Sequence, residues 1–333
     1  MTTTLGKSPR TRKTPSSPAG LRRGGGVSRR QARAGLALVS PSLIIVLFLV
    51  VLPILWTVML AFQDVRLIQI RRANLFGNYT LDNFIGVLTS EALWSSLGTT
   101  LAYSILGTAG AIVVGLAAAL SLRNAFRGRT LIRAAMLLPY VAPVVASAFV
   151  WKTMLNPQFG VVNAWGTGFL GWEQPISFLT TRTTDWSILG LTVPVPTALF
   201  TVIAFEIWRT FPFVFLFITA RLQAVPKSIE EAARMDGAVP TQMFRHILLP
   251  QLLPTIAVLS VLRFIWTFNN FDDVYLLTGG GAGTEVVSVG VFNYLIGRGD
   301  IGSASAQALV LAAILTVMVL IYMKFAVKDE EVA

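Results

Sequence analysis

The sequence predicts an all-α integral membrane protein with six transmembrane helices. Hydrophobic residues make up 54% of the 333-residue chain and charged residues only 13%, against about 25% charged residues in an ordinary soluble domain. The apolar residues are concentrated in long uncharged stretches, the first of which covers residues 34–63. Because a helix needs about 20 residues to cross a bilayer, such a stretch is long enough to span.

The other uncharged stretches place the remaining spans. They cover residues 92–122, 134–151, 186–205 and 301–323, and 252–271 is interrupted only by Arg263. The predicted spans lie near 36–62, 97–122, 132–154, 197–220, 252–271 and 304–325. Five prolines fall inside them, where neighbouring helices can satisfy the freed carbonyls; these are Pro41, Pro53, Pro139, Pro143 and Pro212. Residues 34–333 are therefore predicted to form one transmembrane domain.

Residues 1–33 are predicted to form a disordered basic tail. They include nine Lys or Arg residues and no acid, and their composition offers too little apolar surface for a folded core. Basic charge beside a membrane span sets the orientation of the protein in the membrane or attracts anionic lipid. Because this explains the excess of basic residues, nucleic acid is not expected as a partner. With the N-terminus inside, the inner segments carry 19 Lys or Arg residues and the outer segments six. The positive-inside rule therefore predicts a multi-pass protein of the cell membrane with both termini in the cytoplasm.

The side-chain inventory disfavours catalysis and metal binding. The chain has no cysteine, which excludes disulfides, thiolate metal sites and cysteine nucleophiles. Its single histidine, His246, has no evident acid or metal partner. An intramembrane enzyme is therefore disfavoured. A stand-alone secondary transporter is a further alternative, although no internal repeat supports it.

A cytoplasmic segment between the fourth and fifth spans, residues 224–250, has the marks of ordered structure. Ser228 and Glu231 have the spacing of a capping box and predict the start of a short helix. Ala232 and Ala233 keep that helix thin, so another surface can approach closely. Gly237 predicts the turn that ends the helix.

A second short helix is predicted after this turn. Pro240 suits its first turn, and Pro250 is expected to stop it before the membrane. On physical grounds alone, a solvated helical hairpin and a docking element are equally consistent with the segment.

The motif in this segment resembles the EAA loop of ABC-importer permeases. It consists of Glu231-Ala232-Ala233, three residues, Gly237, nine residues, and Ile247-Leu248-Leu249-Pro250, without a gap. The resemblance implies a type I ABC-importer permease fold in which the loop forms a coupling helix in a cleft of a cytoplasmic ATPase. It assigns ATPase coupling to Glu231, Ala232, Ala233, Asp236, Gly237, Ile247, Leu249 and Pro250. Glu231 would pair with a basic residue of the ATPase, the alanines would lie against its surface, and Gly237 would make the bend.

The same resemblance implies a set of partners. They are a second, related permease, two nucleotide-binding ATPase subunits, an extracytoplasmic sugar-binding protein and the lipid bilayer. ATP and Mg²⁺ would bind to the ATPase subunits, so this chain would be a transport subunit without a cofactor and not an enzyme.

Residues 41–325 resemble the permeases of carbohydrate uptake, the group that imports maltose, other oligosaccharides and glycerol 3-phosphate. The resemblance is carried by Leu138–Pro143, Trp151, Asn156, Gly160–Asn163, Trp266, Asn269–Asp272, Leu277–Gly281 and Gly302–Ala306. Ala282 departs from the pattern, which has proline after the glycine run. The expected substrate is a sugar or a sugar-like solute, and a non-sugar solute is the alternative.

Charged residues inside the predicted spans are candidates for the translocation path. Ionised groups at such depth usually face the interior of a helix bundle or water. We expect Glu206 to pair with Arg209 or Arg263 near this path; the alternative is a structural ion pair that holds two spans together. Aromatic and amide side chains suit sugars because rings stack and hydroxyls need donors and acceptors. The candidate path residues are Glu206, Trp208, Arg209, Arg263, Asn269, Asn270, Asp272 and Tyr275.

Overall fold

The computed structural model describes residues 29–73, 77–188 and 191–330. The chain divides into two compact units, Met1–Leu55 and Trp56–Ala333. Most of the predicted tail lies outside the described residues. The first helix begins at Arg29, so the last five residues of the predicted tail are helical.

Helices dominate the described residues. The α-helices are α1 (Arg29–Val46), α2 (Leu52–Ala61), α3 (Asp82–Leu88), α4 (Glu91–Ser121), α5 (Arg129–Val141), α6 (Val144–Met154), α7 (Val161–Phe169), α8 (Thr197–Gln223), α9 (Lys227–Met235), α10 (Pro240–Gln242), α11 (Leu249–Phe268), α12 (Asp272–Thr278), α13 (Val287–Phe292) and α14 (Ile301–Glu330). π-Helical segments cover Leu47–Val51, Met243–Leu248 and Asn293–Gly297, and a 3₁₀-helix covers Leu67–Arg72.

A β-hairpin, which the sequence analysis did not predict, precedes α8. Strand β1 (Thr184–Ile188) pairs antiparallel with β2 (Leu191–Val195), with Thr184 opposite Val195 and Ile188 opposite Leu191. The hairpin overlaps the first part of the uncharged stretch 186–205, and the membrane helix begins only at Thr197.

Five helices in the described residues are long and apolar enough to cross a membrane, or six if one bent pair is a single span. The five are Ala37–Ala61, Glu91–Ser121, Thr197–Gln223, Pro240–Phe268 and Ile301–Lys324. They overlap the predicted spans, but the second and fifth begin earlier than predicted, at Glu91 and Pro240, and the fifth ends before Asn269.

The predicted third span is not a continuous helix. Helices α5 and α6 meet at an angle of 99°. Ala142 has an extended backbone (φ −65°, ψ 140°) and Pro143 precedes the first residue of α6, as expected because proline disfavours a helical conformation in the residue before it. Pro139 lies inside α5, so only one of the two prolines breaks the helix.

The second unit has an apolar core in which α4, α8 and α11 pack together. Its fully buried side chains include Val214 and Ile218 of α8, Ala111 of α4 and Leu252 of α11. Gly115 brings α4 close to α8: a Cβ atom added there would lie 2.7 Å from Cβ of Val214. This close packing positions the polar residues described next.

Candidate functional site

A buried carboxylate on α8 meets a buried guanidinium on α11. Glu206 is fully buried and Arg263 is 4% exposed. The Nη2 group of Arg263 donates a hydrogen bond to Oε1 of Glu206, and the hydroxyl of Thr267 donates to the same oxygen over 2.9 Å. The expected pairing between the fourth and fifth spans is therefore present.

A second ion pair lies directly beside the first. Arg209 donates from Nη2 and Nε to Oδ2 of Asp273 over 3.0 and 3.2 Å, and its Nη2 lies 3.5 Å from Oε2 of Glu206. Tyr103 of α4 and Asn270 also donate to Oδ2 of Asp273, over 3.4 and 3.2 Å. Two acidic and two basic side chains from three chain segments thus lie together, so their formal charges balance, as groups buried at this depth require.

A cavity of about 340 Å³ opens beside this charge cluster. It is lined by six of the eight predicted path residues, namely Glu206, Arg209, Arg263, Asn269, Asn270 and Asp272, together with Tyr140, Thr210, Trp266 and Phe271. Its walls therefore combine aromatic rings with amide, carboxylate and guanidinium groups.

Two predicted path residues do not line this cavity. Trp208 packs against the rings of Trp151 and Phe205, with centroids 5.6 and 6.0 Å apart. Tyr275 stacks on Phe271 at 4.7 Å and lines a different cavity, of about 840 Å³. Trp208 lies two residues after Glu206 on α8, and Tyr275 two residues after Asp273 on α12. Two residues rotate a side chain by about 200° around a helix, so each is turned away from the acid on its own helix.

The sequence analysis missed Asp273 and chose its neighbour. Asp272 is exposed and Asp273 is fully buried. Asn270 accepts a hydrogen bond from the backbone amide of Asp273 over 3.1 Å, and this local turn directs Asp273 toward Arg209. Two adjacent acids at a helix start gave no sequence signal to tell them apart. Tyr103 and Thr267 carried no signal either, because both lie in apolar stretches.

Helix α9 contains the first half of the predicted coupling motif. Gly237 lies just after the helix and has φ +80°. The amide of Gly237 donates to the carbonyl of Arg234 over 3.1 Å, and the amide of Ala238 donates to the carbonyl of Ala233 over 2.9 Å. This is the Schellman arrangement that glycine favours at a helix end, so the predicted turn at Gly237 is present.

The capping box predicted at Ser228 is absent. Helix α9 already begins at Lys227, after Pro226, and no side chain caps it. Ser228 is consequently inside the first turn. Its predicted partner Glu231 is left exposed and makes no ion pair with any described residue.

Glu230, which the sequence analysis passed over, anchors α9. Its side chain is 11% exposed and pairs with Arg123, just beyond the end of α4. The pKa of the Arg123 guanidinium is lowered, first by burial and then by the charge of Arg234, which lies 4.0 Å from Glu230. Ala233 packs on the apolar core from the same side of the helix. Glu231, Ala232 and Met235 are exposed, although Glu231 also borders a cavity that Glu230 lines, and Asp236 is exposed just beyond the helix end.

The second half of the motif leads directly into the membrane helix. Pro240 begins α10 as predicted. Pro250 does not stop a helix, because it lies in the first turn of α11, directly after the π-helical segment Met243–Leu248. A π-helical turn shifts the backbone pairing, which lets a proline follow without ending the helix. Ile247 packs on the core, Leu249 is half-buried and Pro250 is exposed.

Among the described residues, no group of three or more His, Asp or Glu side chains could hold a metal ion. The charge cluster with its cavity and the α9 segment are therefore considered as sites for functions other than metal binding.

Comparison with known proteins places both sites in a transport protein. Residues 111–327 match the family model described as "Binding-protein-dependent transport system inner membrane component". The chain is 32% identical over 298 residues to the trehalose/maltose transport system permease protein MalF of Thermococcus litoralis, covering 89% of this chain and 94% of that protein. It is 34% identical over 292 residues to the inner membrane ABC transporter permease protein YcjO of Escherichia coli K12, and this match covers 87% of this chain and 92% of that protein.

The fold is also found in a solved structure. A chain in the crystal structure of a bacterial ABC transporter involved in the import of the acidic polysaccharide alginate superposes with a TM-score of 0.73 at 22% identity. The match covers 90% of this chain and 96% of that one. The fold is that of a type I ABC-importer permease, an integral membrane transport subunit. The chain belongs to the family of binding-protein-dependent transport system inner membrane components.

Proposed function

We propose that this chain is a permease subunit of an ATP-driven sugar importer, in which α9 couples the transmembrane helices to a partner ATPase. The exposed face of α9 carries this proposal. It presents an unpaired acid, Glu231, beside the small side chain of Ala232 and the 87% exposed side chain of Met235. An acid next to a flat apolar surface suits a basic, apolar groove in a partner.

The buried face of α9 supports the same role. Glu230 holds α9 to the end of α4 through Arg123, and Ala233 packs on the core formed by α4 and α8. A force applied to the exposed face would therefore reach two membrane helices. Ile247, Leu249 and Pro250 would act indirectly, because they join α9 to α11 and do not share its exposed face.

The full transporter would contain four further elements. Two ATPase subunits would bind ATP and Mg²⁺ and dock on the segment 224–250 from the cytoplasm. A second permease would complete the translocation path, and an extracytoplasmic binding protein would deliver the substrate. Both termini of this chain, including the basic tail 1–33, would lie in the cytoplasm.

A sugar is the proposed substrate class. The cavity beside the charge cluster offers the rings of Tyr140 and Trp266 for stacking and the amides of Asn269 and Asn270 for hydroxyl groups, which suits a polyhydroxylated ring. Named relatives include permeases of trehalose/maltose and of trehalose transport systems. Glycerol 3-phosphate and non-sugar solutes are the alternatives that the experiment must separate.

The test is ATP hydrolysis by the assembled transporter. The full chain would be co-expressed with the neighbouring transporter genes, purified in detergent and assayed with the binding protein across a panel of sugars, glycerol 3-phosphate and amino acids. We expect one sugar to stimulate hydrolysis. Glu231→Arg should remove most ATPase co-purification, whereas Glu173→Arg, the same charge change at an exposed position after α7, should retain it.

The outcomes are distinct. Stimulation by glycerol 3-phosphate or an amino acid alone would replace the proposed substrate and keep the coupling role. Failure of any ATPase to co-purify, together with uptake driven by an ion gradient, would refute the importer and favour a secondary transporter.

A further inference from the structure

A basic cavity of about 530 Å³ lies between α9 and the ends of the membrane helices. Its volume is in the range of small-molecule sites, about 300–1,000 Å³. Five basic side chains line it, Arg123, Arg129, Arg133, Lys227 and Arg234, against two acids, Glu230 and Glu231. The cavity therefore carries a net positive charge that the described residues do not balance.

The ion pairs within the cavity leave most of this charge free. Glu230 is shared between Arg123 and Arg234. Arg129 and Arg133 face no acid among the described residues, and both donate to one backbone oxygen, that of Leu122, over 2.7 and 3.0 Å.

Two of the residues that line the cavity have unused hydrogen-bond donors. In the described part of the chain, the Nε atom of Arg133 and the hydroxyl of Thr219 are buried and have no hydrogen-bond partner. Buried donors without a partner cost free energy, and an anion that accepts from them would remove that cost. The pKa of Arg123 is lowered first by burial and then by the charge of Arg234, so an anion in the cavity would also offset this crowding of like charges.

The position of the cavity indicates where such an anion would come from. Two membrane-spanning helices, Glu91–Ser121 and Thr197–Gln223, end at its wall, with Arg123 following the first and Thr219 in the last turns of the second. The cavity thus lies at the level where lipid phosphates are found, and basic pockets between membrane helices bind such headgroups. Guanidinium groups also match phosphate oxygens in geometry.

We propose that this cavity binds a phosphate group, supplied by an anionic lipid headgroup or by free phosphate, and that the bound phosphate fixes α9 against the end of α4. Arg129, Arg133 and Lys227 supply the charge, and the Thr219 hydroxyl supplies a neutral donor. This role concerns the anchoring of α9 and does not depend on which solute is transported.

The experiment measures binding to the purified full-length chain. The chain in detergent would be titrated with phosphatidylglycerol, phosphatidylcholine or inorganic phosphate, and bound molecules would be counted by native mass spectrometry alongside the melting temperature. We expect phosphatidylglycerol to bind at least about tenfold more tightly than phosphatidylcholine, because the choline cation of the latter is repelled by the basic lining, and about 1.4 kcal/mol of such repulsion is a factor of ten. Competition by inorganic phosphate would identify free phosphate as a ligand, and its failure to compete would assign the site to the headgroup.

Variants locate the binding. Arg129→Gln combined with Arg133→Gln should abolish the preference for phosphatidylglycerol. Because these side chains also contact Leu122, Lys227→Gln serves as a second variant that disturbs no hydrogen bond described here and should weaken binding severalfold. Arg245→Gln is the matched control, since Arg245 is exposed on the next segment and does not line the cavity.

Two results with the isolated chain would overturn the proposal, and a third, with an associated ATPase, would do the same. One is equal affinity of the wild-type chain for the two lipids with no phosphate binding. The other is an unchanged lipid preference in both cavity variants. If an associated ATPase abolished binding of every phosphate probe, the cavity would be a protein-docking surface and the proposal would also be wrong.

Discussion

Replacing Glu206 with glutamine tests the buried charge cluster most directly, because it removes one charge with almost no change in volume. Glu206 is fully buried and Arg263 is 4% exposed. In the variant, Arg263 keeps its charge and loses its carboxylate. The other acid of the cluster, Asp273, is engaged by Arg209 at 3.0 Å and cannot compensate fully.

The expected cost is large. Removing one partner of a buried ion pair destabilises a protein by about 3–5 kcal/mol. An unfolding entropy of about 2.1 cal/mol/K per residue, applied to 333 residues, gives roughly 0.7 kcal/mol/K. The melting temperature of Glu206→Gln should therefore fall by about 4–7 °C.

The assay is thermal unfolding of the full chain in detergent, followed by tryptophan fluorescence. The double variant Glu206→Gln with Arg263→Gln restores neutrality and leaves the Arg209–Asp273 pair in place. Its loss of stability should be clearly smaller than the sum of the two single losses. Glu173→Gln, at an exposed position, should leave the melting temperature unchanged.

An unaltered melting temperature in Glu206→Gln would refute the reasoning, because the cluster would then contribute nothing measurable to the fold. Additive losses in the double variant would also contradict it, since coupled charges must show an interaction energy.

Three further predictions concern residues around the two sites. Asp273→Asn should lower the melting temperature by several degrees, because Arg209 loses its main acid partner. Asp272→Asn, at an exposed position, should leave the melting temperature unchanged, and thermal unfolding of the two variants tests this difference. Glu230→Gln should lower the free energy of unfolding by only about 1 kcal/mol, since its pair with Arg123 is partly exposed. Substrate-stimulated ATP hydrolysis should nevertheless drop, and an unchanged hydrolysis rate would contradict the anchoring role of Glu230. Gly237→Ala forces an alanine into φ +80°, at a cost of about 1–2 kcal/mol. Hydrogen exchange should show faster opening at the end of α9, and protection equal to that of the wild type would be evidence against the strained turn.

The membrane helices were predictable because hydrocarbon allows few alternatives. Within a bilayer a single segment must satisfy its own backbone groups, which a helix does, so the approximate positions of the spans follow from hydropathy. The stretch 186–205 is an exception, because its first part forms the β-hairpin. Helix breaks were not predictable in the same way. Pro139 and Pro143 lie in one apolar stretch and look alike in sequence, yet only the conformation of Ala142 before Pro143 produces the bend.

The sites were predictable as regions and less so as residues. The depth of Glu206 and Arg263 in apolar stretches implied a pairing, and the structure contains it. The choice between Asp272 and Asp273 depends on which carboxylate faces Arg209, and only tertiary structure decides that. The choice between Glu230 and Glu231 was equally open in the sequence. Helix α9 begins at Lys227, one residue before Ser228, and the packing of Glu230 and Ala233 against the protein leaves Glu231 exposed.

The two sites are joined by a pair of closely packed helices. Glu206 and Gln223 lie seventeen residues apart on α8, roughly 26 Å at 1.5 Å per residue, and α9 follows α8 within four residues. Along this length α4 packs on α8, with Gly115 against Val214 and Gly107 against Glu206, where added Cβ atoms would come within 2.7 and 3.2 Å. Such close contacts prevent the helices from sliding independently, because packed interiors do not deform continuously. In the proposed coupling role, a displacement of α9 would therefore reach Glu206 along α8 and, through the Arg123–Glu230 pair, α4 as well.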